Sequence, residues 1–139
     1  MFEFFRLWLL VVSGALAVVG AVMVLIVGTP LFDVVGRLFD RAFWPGAPDA
    51  ATRRFQSWAY GVTFAVMAGW GLCLAIIVAG GFSSRQAWVW WSLAASVAVW
   101  YPLATGRSLI HRVYGNAIAN TALLVILAIP LIGTFGEFH

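Results

Sequence analysis

The chain has 139 residues, of which 63% are hydrophobic and only 9% are charged. Water-soluble domains average about 25% charged residues, so this chain lacks the side chains needed to cover a water-exposed surface, and the composition predicts an integral membrane protein. The formal net charge is +3 and there is one cysteine, Cys73. A single cysteine forms neither an intrachain disulfide nor a C-x-x-C redox pair, which argues against a membrane thiol oxidoreductase.

Four segments without a charged residue are long enough to cross a membrane as helices. They are 7–32, 55–84, 86–106 and 113–136, and they contain 26, 30, 21 and 24 residues. About 20 apolar residues cross the hydrocarbon core as a helix, and the alternation typical of membrane β-strands is absent. We therefore predict an all-α fold, a four-transmembrane-helix bundle that forms a single domain over 1–139. The predicted spans cover about 7–29, 55–80, 86–105 and 110–134.

The connection between the first two spans has the pattern of a short amphipathic helix. In the segment 30–45, PLFDVVGRLFDRAFWP, apolar residues recur at helical spacing. Asp33 and Arg37 lie on the opposite face, at a spacing that allows an ion pair. The sequence predicts an interfacial helix over about 31–44, which is either a gate or docking surface or, as we favour, a linker lying flat on the lipid.

The second span shows the strongest packing signal. Small residues occupy every fourth position at Gly61, Ala65, Gly69 and Cys73. Because helices associate in lipid through close approach of their backbones, this ridge is predicted to pack within the bundle or to form a homo-oligomer face. Asp49 is the predicted N-cap of this helix.

The arginines predict the orientation of the chain. With four spans, the termini and the second loop share one side, which carries Arg6 and Arg85. The first and third loops share the other side, which carries Arg37, Arg41, Arg53, Arg54, Arg107 and Arg112. Basic residues accumulate in cytoplasmic loops. The two Arg-rich loops are therefore predicted to be cytoplasmic, and both termini extracytoplasmic.

The spans contain little that points to chemistry. Between the flanking charges they contain no acidic, basic or histidine side chain, which weighs against proton-coupled transport. His111 and His139 are predicted on opposite sides, so one chain cannot use both to hold a haem. No set of three or four metal ligands, Gly-rich phosphate loop or nucleophile elbow is present. We expect no cofactor, no metal and no nucleic-acid partner, and an enzyme is the third choice.

The start of the fourth span is the most polar stretch, TGRSLIHRVYGNAIANT over 105–121. On a helix, Arg112, Asn116 and Asn120 form one ridge, whereas the histidine and the tyrosine face another side. One interpretation is a contact between helices. The other is a polar cavity at the cytoplasmic face that holds an anion or a lipid headgroup. The candidate residues are Arg107, His111, Arg112, Tyr114, Asn116 and Asn120.

Two polar groups in the membrane interior need partners. Asn120 lies two turns into the fourth span, where an unpaired amide is costly. Its predicted partner is Ser92 or Ser96 on the third span, the indole of Trp70, or a second copy of the chain. Trp70 lies near the middle of the second span, and we predict a buried packing anchor rather than a residue that stacks on a ligand.

Two segments carry a resemblance to known proteins. Helix two has W-x-Y-G followed by G-W-G within 55–71, and helix four has T-G-x-S-L followed by V-Y-x-N-x-x-x-N-T within 105–131. In these motifs the chain resembles small bacterial four-helix membrane proteins without an assigned activity. We predict a bacterial inner-membrane location, and the resemblance itself implies no reaction and no site.

The sequence thus favours a non-enzymatic accessory or structural subunit of the membrane. Its expected partners are the lipid bilayer and either further copies of the chain or other membrane subunits. The alternative is a protein that binds or transports a small solute, an anion or a lipid headgroup through the polar start of helix four.

Overall fold

The computed structural model describes residues 1–40, 43 and 46–138, and these residues form five α-helices and no strand. The helices are α1 (Phe2–Ile26), α2 (Pro30–Asp40), α3 (Ala50–Gly81), α4 (Ala87–Ile110) and α5 (Tyr114–Thr134). Short 3-10 turns follow α3 at Phe82–Ser84 and α5 at Phe135–Glu137. The predicted all-α class is confirmed.

Three of the described helices are long and apolar enough to cross a membrane: Phe2–Ile26, Ala50–Ser84 and Tyr114–Glu137. The third predicted span coincides with α4, which is 24 residues long. This helix is not among the three, and it contains four tryptophans together with Tyr101 and Pro102. Length and composition thus identify three of the four predicted spans.

The span boundaries differ from the predicted ones where the backbone is capped or broken. The second span begins at Ala50 rather than near residue 55, because the side chain of Asp49 accepts a hydrogen bond from the backbone N–H of Thr52 at 2.7 Å and so caps the helix. The fourth span begins at Tyr114 rather than near residue 110. There the chain turns through Arg112, which adopts a left-handed conformation with φ 60°.

The helices α1 and α3 run antiparallel, and their backbones approach each other closely. A Cβ atom added to Gly20 would lie 2.6 Å from the backbone nitrogen of Ala68, and one added to Gly71 would lie 2.5 Å from that of Ala17. The two backbones therefore touch at two levels with no room for a methyl group. Such contact supplies the dispersion energy that holds helices together in lipid.

The predicted small-residue ridge of α3 lies mainly on the outer surface instead. Ala65, Gly69 and Cys73 are exposed, and a Cβ atom on Gly69 would meet nothing within 4 Å. Only Gly61 approaches α1, where its added Cβ would lie 3.6 Å from Val27. The contact within the chain is made by another row of α3 that contains Gly71, so the ridge remains available as a predicted homo-oligomer face.

The buried core lies at one end of the bundle, which we call the terminal end because both chain termini approach it. There Phe82, in the turn between α3 and α4, is fully buried, and its ring lies 5.9 Å from that of Phe2 and 4.9 Å from that of Phe138. Arg85 and Glu137 form an exposed ion pair at 2.8 Å across the same end. The opposite end, which carries α2 and the α4–α5 turn, is called the loop end.

The first loop is helical, as predicted, but this helix does not only lie on lipid. Phe32 is buried, and its ring lies 5.3 Å from that of Tyr60 and 6.1 Å from that of Phe64. The helix therefore packs on α3 rather than only on lipid. Asp33 and Arg37 form no ion pair with each other. Of the predicted extension over 41–44, only residue 43 is described.

Candidate functional site

The polar start of helix four forms the turn between α4 and α5. The amide nitrogen of Asn116 donates to the hydroxyl of Ser108 at 2.7 Å, and that hydroxyl donates to the carbonyl of Ala104 at 2.8 Å. The backbone N–H of Val113 donates to the carbonyl of Ser108 at 2.8 Å. These bonds join the end of α4 to the first turn of α5. Asn116 thus makes a contact between helices.

The remaining polar residues of this segment do not converge on Asn116. Arg107, Arg112 and Tyr114 are exposed. The ring of His111 is exposed as well and lies 5.8 Å from the ring of Phe43. Tyr114 borders a shallow groove between α4 and α5, but neither Asn residue nor His111 lines it. The structure therefore does not bring the predicted residues together into one polar cavity.

Asn120 is buried without the interhelical bond that the sequence predicts. Its side chain is 9% exposed, and its amide nitrogen has no hydrogen-bond partner among the described residues. Ser92 and Ser96, two of the predicted partners, donate instead to carbonyls of their own helix, those of Trp88 and Leu93. Since the amide nitrogen is inaccessible from outside, it is not placed to bond a second copy of the chain either.

Trp70 packs against another tryptophan. Its ring lies 5.5 Å from that of Trp100 on α4, at an interplanar angle of 36°. The side chain is half-buried, and no described residue accepts a hydrogen bond from its indole nitrogen. This pair joins α3 to α4 well away from the turn that connects them, so Trp70 contributes to helix packing.

A cleft that the sequence pattern does not reveal lies at the loop end. It is a half-open cleft of about 690 Å³ between α2, the start of α3 and the connection before α3. Its polar lining comprises Thr29, Asp33, Arg37, Arg53, Arg54, Gln56, Ser57 and Tyr60. We call it the loop-end cleft.

Gly28 lines the loop-end cleft and shapes the turn that leads into α2. This residue has φ +83°, a conformation that glycine adopts at no steric cost, and it turns the chain from α1 into α2. The hydroxyl of Thr29 donates to the carbonyl of Ile26 at 2.6 Å and closes that turn. Phe32 then fastens α2 to α3, so that Asp33 and Arg37 border the cleft.

The opposite wall of the loop-end cleft comes from the first two turns of α3. Asp49 caps this helix, and hydrogen bonds from Thr52 lower the pKa of its carboxyl. Arg53 donates from Nε to the carbonyl of Pro48 at 3.3 Å. In the sequence, the signal for this wall of the cleft is the pattern TRRFQ over 52–56, directly after the helix cap. From the sequence alone, its two arginines predict only the orientation of the chain in the membrane.

Other kinds of site find no support in the described part of the chain. Those residues contain no group of three His, Cys, Asp or Glu side chains able to hold a metal ion. Comparison with protein-family models, with curated proteins and with solved structures gives no match. The resemblance of helices two and four to small bacterial membrane proteins therefore stays a prediction.

Proposed function

We propose that the chain is an integral membrane protein with four spans, of which α4 is the third. The helix α3 ends at the terminal end and α5 begins at the loop end, so the connection between them has to travel the length of the bundle. As an α-helix of 24 residues, α4 is about 36 Å long. The indole nitrogen of Trp90 donates to the carbonyl of Leu131 at 2.9 Å, which satisfies this polar group away from water.

The arginines support an orientation with the loop end in the cytoplasm. Five of the described arginines belong to this end and two to the terminal end, and short basic loops stay on the cytoplasmic side. With four spans, both termini are then extracytoplasmic.

Cysteine labelling in intact cells tests this topology. In a Cys73→Ala background, we expect a membrane-impermeant maleimide to label Ser83→Cys, in the turn after α3, and to leave Ala47→Cys unlabelled until the membrane is permeabilised. Both positions are outside the α-helices, so neither change disturbs helix packing. Labelling of Ala47→Cys alone in intact cells would mean the opposite orientation. A C-terminal reporter on the same side as Ala47→Cys would contradict the four-span topology.

In this membrane the chain acts as a non-enzymatic accessory or structural subunit. The observation that carries this proposal is how the chain uses its interior polar groups. Asn116, Ser108 and Thr134 all bond to neighbouring helical residues. The outer faces of the three apolar helices, in contrast, are lined by exposed aliphatic side chains. Such a molecule offers surfaces for lipid and for other membrane helices.

Native mass spectrometry after extraction in mild detergent tests the subunit role. We expect a complex that contains either several copies of the 15.1 kDa chain or one copy with a stoichiometric membrane partner. Gly69→Leu should weaken a complex formed through the exposed ridge of α3, because close approach of helices needs small residues. Val66→Leu enlarges another exposed residue of α3 and serves as the control. A lone chain in native-membrane nanodiscs would contradict the proposal.

The alternative function, binding of an anion through the start of helix four, has less geometric support. Asn116 is already bonded to Ser108, and Arg107 and Arg112 are exposed without a cavity between them. If the chain binds an anion, the loop-end cleft offers the better place.

A further inference from the structure

We propose that the loop-end cleft binds an anionic phosphate group, carried either by a membrane lipid headgroup or by a small soluble molecule. The inference is independent of the subunit role proposed above. It rests on the charge of the cleft, on the availability of its donors, on its volume and on its position in the membrane.

The charge of the cleft favours an anion. Arg37, Arg53 and Arg54 line it, and Asp33 is the one carboxylate among the described lining residues. These described side chains carry a net charge of +2, from three positive groups and one negative. Arginine suits phosphate in particular, because its planar guanidinium presents paired N–H donors to two phosphate oxygens at once.

The donors of the cleft are available. Neither Arg37 nor Arg54 has an ion-pair or hydrogen-bond partner among the described residues, and the guanidinium of Arg53 uses Nε alone, for the carbonyl of Pro48. Gln56 also lines the cleft, and its amide nitrogen is buried without a described partner. A buried donor without an acceptor costs free energy. Rotation of this amide towards a bound phosphate would give it an acceptor.

The volume and position of the cleft fit a headgroup. Its 690 Å³ lies within the range of small-molecule sites, about 300–1,000 Å³. It lies directly beyond the last residues of α1 and beside the first turns of α3, which is the level of the lipid headgroups once these helices span the membrane. Basic residues next to a span attract anionic lipids from the cytoplasmic leaflet.

Calorimetric titration of the full chain in a non-ionic detergent tests this site. The probes are dihexanoyl phosphatidylglycerol, glycerol phosphate and inorganic phosphate, with dihexanoyl phosphatidylcholine as the zwitterionic comparison. We expect saturable binding of phosphatidylglycerol or of the soluble phosphates, and weaker binding of phosphatidylcholine. A preference for the lipid identifies a headgroup site, whereas equal affinity for glycerol phosphate identifies a soluble ligand. Absence of saturable binding by all three anionic probes would overturn the proposal.

Charge variants separate this site from general attraction to the loop end. Arg37→Gln and Arg54→Gln should each weaken binding about fivefold, and Asp33→Asn should strengthen it by a similar factor. Arg107→Gln removes the same charge from the same end outside the cleft and should leave the affinity unchanged. Because Asp33→Asn acts in the opposite direction, loss of folding cannot produce the whole pattern. An equal loss in Arg107→Gln would overturn the assignment to the cleft.

Discussion

Addition of one methyl group at Gly71 is expected to destabilise the bundle by about 1–3 kcal/mol, the range for overpacked interiors. The new Cβ atom would lie 2.5 Å from the backbone nitrogen of Ala17 and 2.9 Å from the carbonyl oxygen of Ser13. Both obstacles are backbone atoms, which cannot rotate out of the way as a side chain can. α1 and α3 would have to separate along the face where their contact is closest.

Gly69 provides a matched control for Gly71→Ala. It lies two residues away on the same helix, and an added Cβ atom would meet nothing within 4 Å. Both substitutions gain the same helix propensity, about 1 kcal/mol in favour of Ala, so only the helix contact differs. Reversible unfolding in mixed micelles should show lower stability for Gly71→Ala and unchanged or higher stability for Gly69→Ala. Equal stabilities would contradict the α1–α3 contact.

The Gly69 and Gly71 pair shows how far the sequence determines this fold. The length of the segments without charged residues predicts the long helices, because each segment is at least as long as a helix that crosses the membrane. The face of α3 that contacts α1 does not follow from this pattern. Gly69 and Gly71 are about 200° apart on the helix, and a neighbouring helix could pack against the row of either one. The choice depends on which residues of α1 lie opposite, and in the structure Ala17 lies against Gly71 and Gly20 lies against Ala68.

In the candidate site too, local sequence determines some of the side-chain contacts and packing determines the others. The sequence leaves open whether Asn116 makes a contact between helices or lines a polar cavity, and in the structure its amide bonds to Ser108. Its partner Ser108 was not foreseen, because the two lie on opposite sides of a turn whose geometry depends on the left-handed Arg112. Asn120 one turn later bonds no described residue. The spacing of residues along a helix predicts which face of the helix each side chain occupies. It does not predict whether a neighbouring helix places a hydrogen-bond acceptor at that face.

The loop-end cleft could not be predicted by spacing because its two walls are distant in sequence. Arg37 and Arg54 are 17 positions apart, and the amphipathic pattern of α2 is equally compatible with lying on lipid or on protein. Packing of Phe32 on Tyr60 and Phe64 decides between these. Because α2 packs against α3, Arg37 and Arg54 border the same cleft. From the sequence alone, these arginines predict only the orientation of the chain in the membrane.

Replacement of Trp90 by alanine is the other substitution with a large expected effect, a loss of about 3–5 kcal/mol of stability. The side chain is 8% exposed, and its ring lies 5.1 Å from that of Phe135. Its indole nitrogen donates to the carbonyl of Leu131, so the residue joins α4 to the end of α5. The change would therefore leave a cavity between α4 and the end of α5.

Two further variants separate the contributions of Trp90. Trp90→Phe retains an aromatic ring and removes the donor to Leu131, so we expect a loss of about 1 kcal/mol. Trp88→Ala removes a tryptophan that is 58% exposed on the same helix, where lipid replaces the lost contacts, and should change stability by less than about 0.5 kcal/mol. The same micelle unfolding measures all three. If Trp88→Ala proved as destabilising as Trp90→Ala, the packing of α4 on α5 through Trp90 would be wrong, and with it the support that α5 gives to α4 as a span.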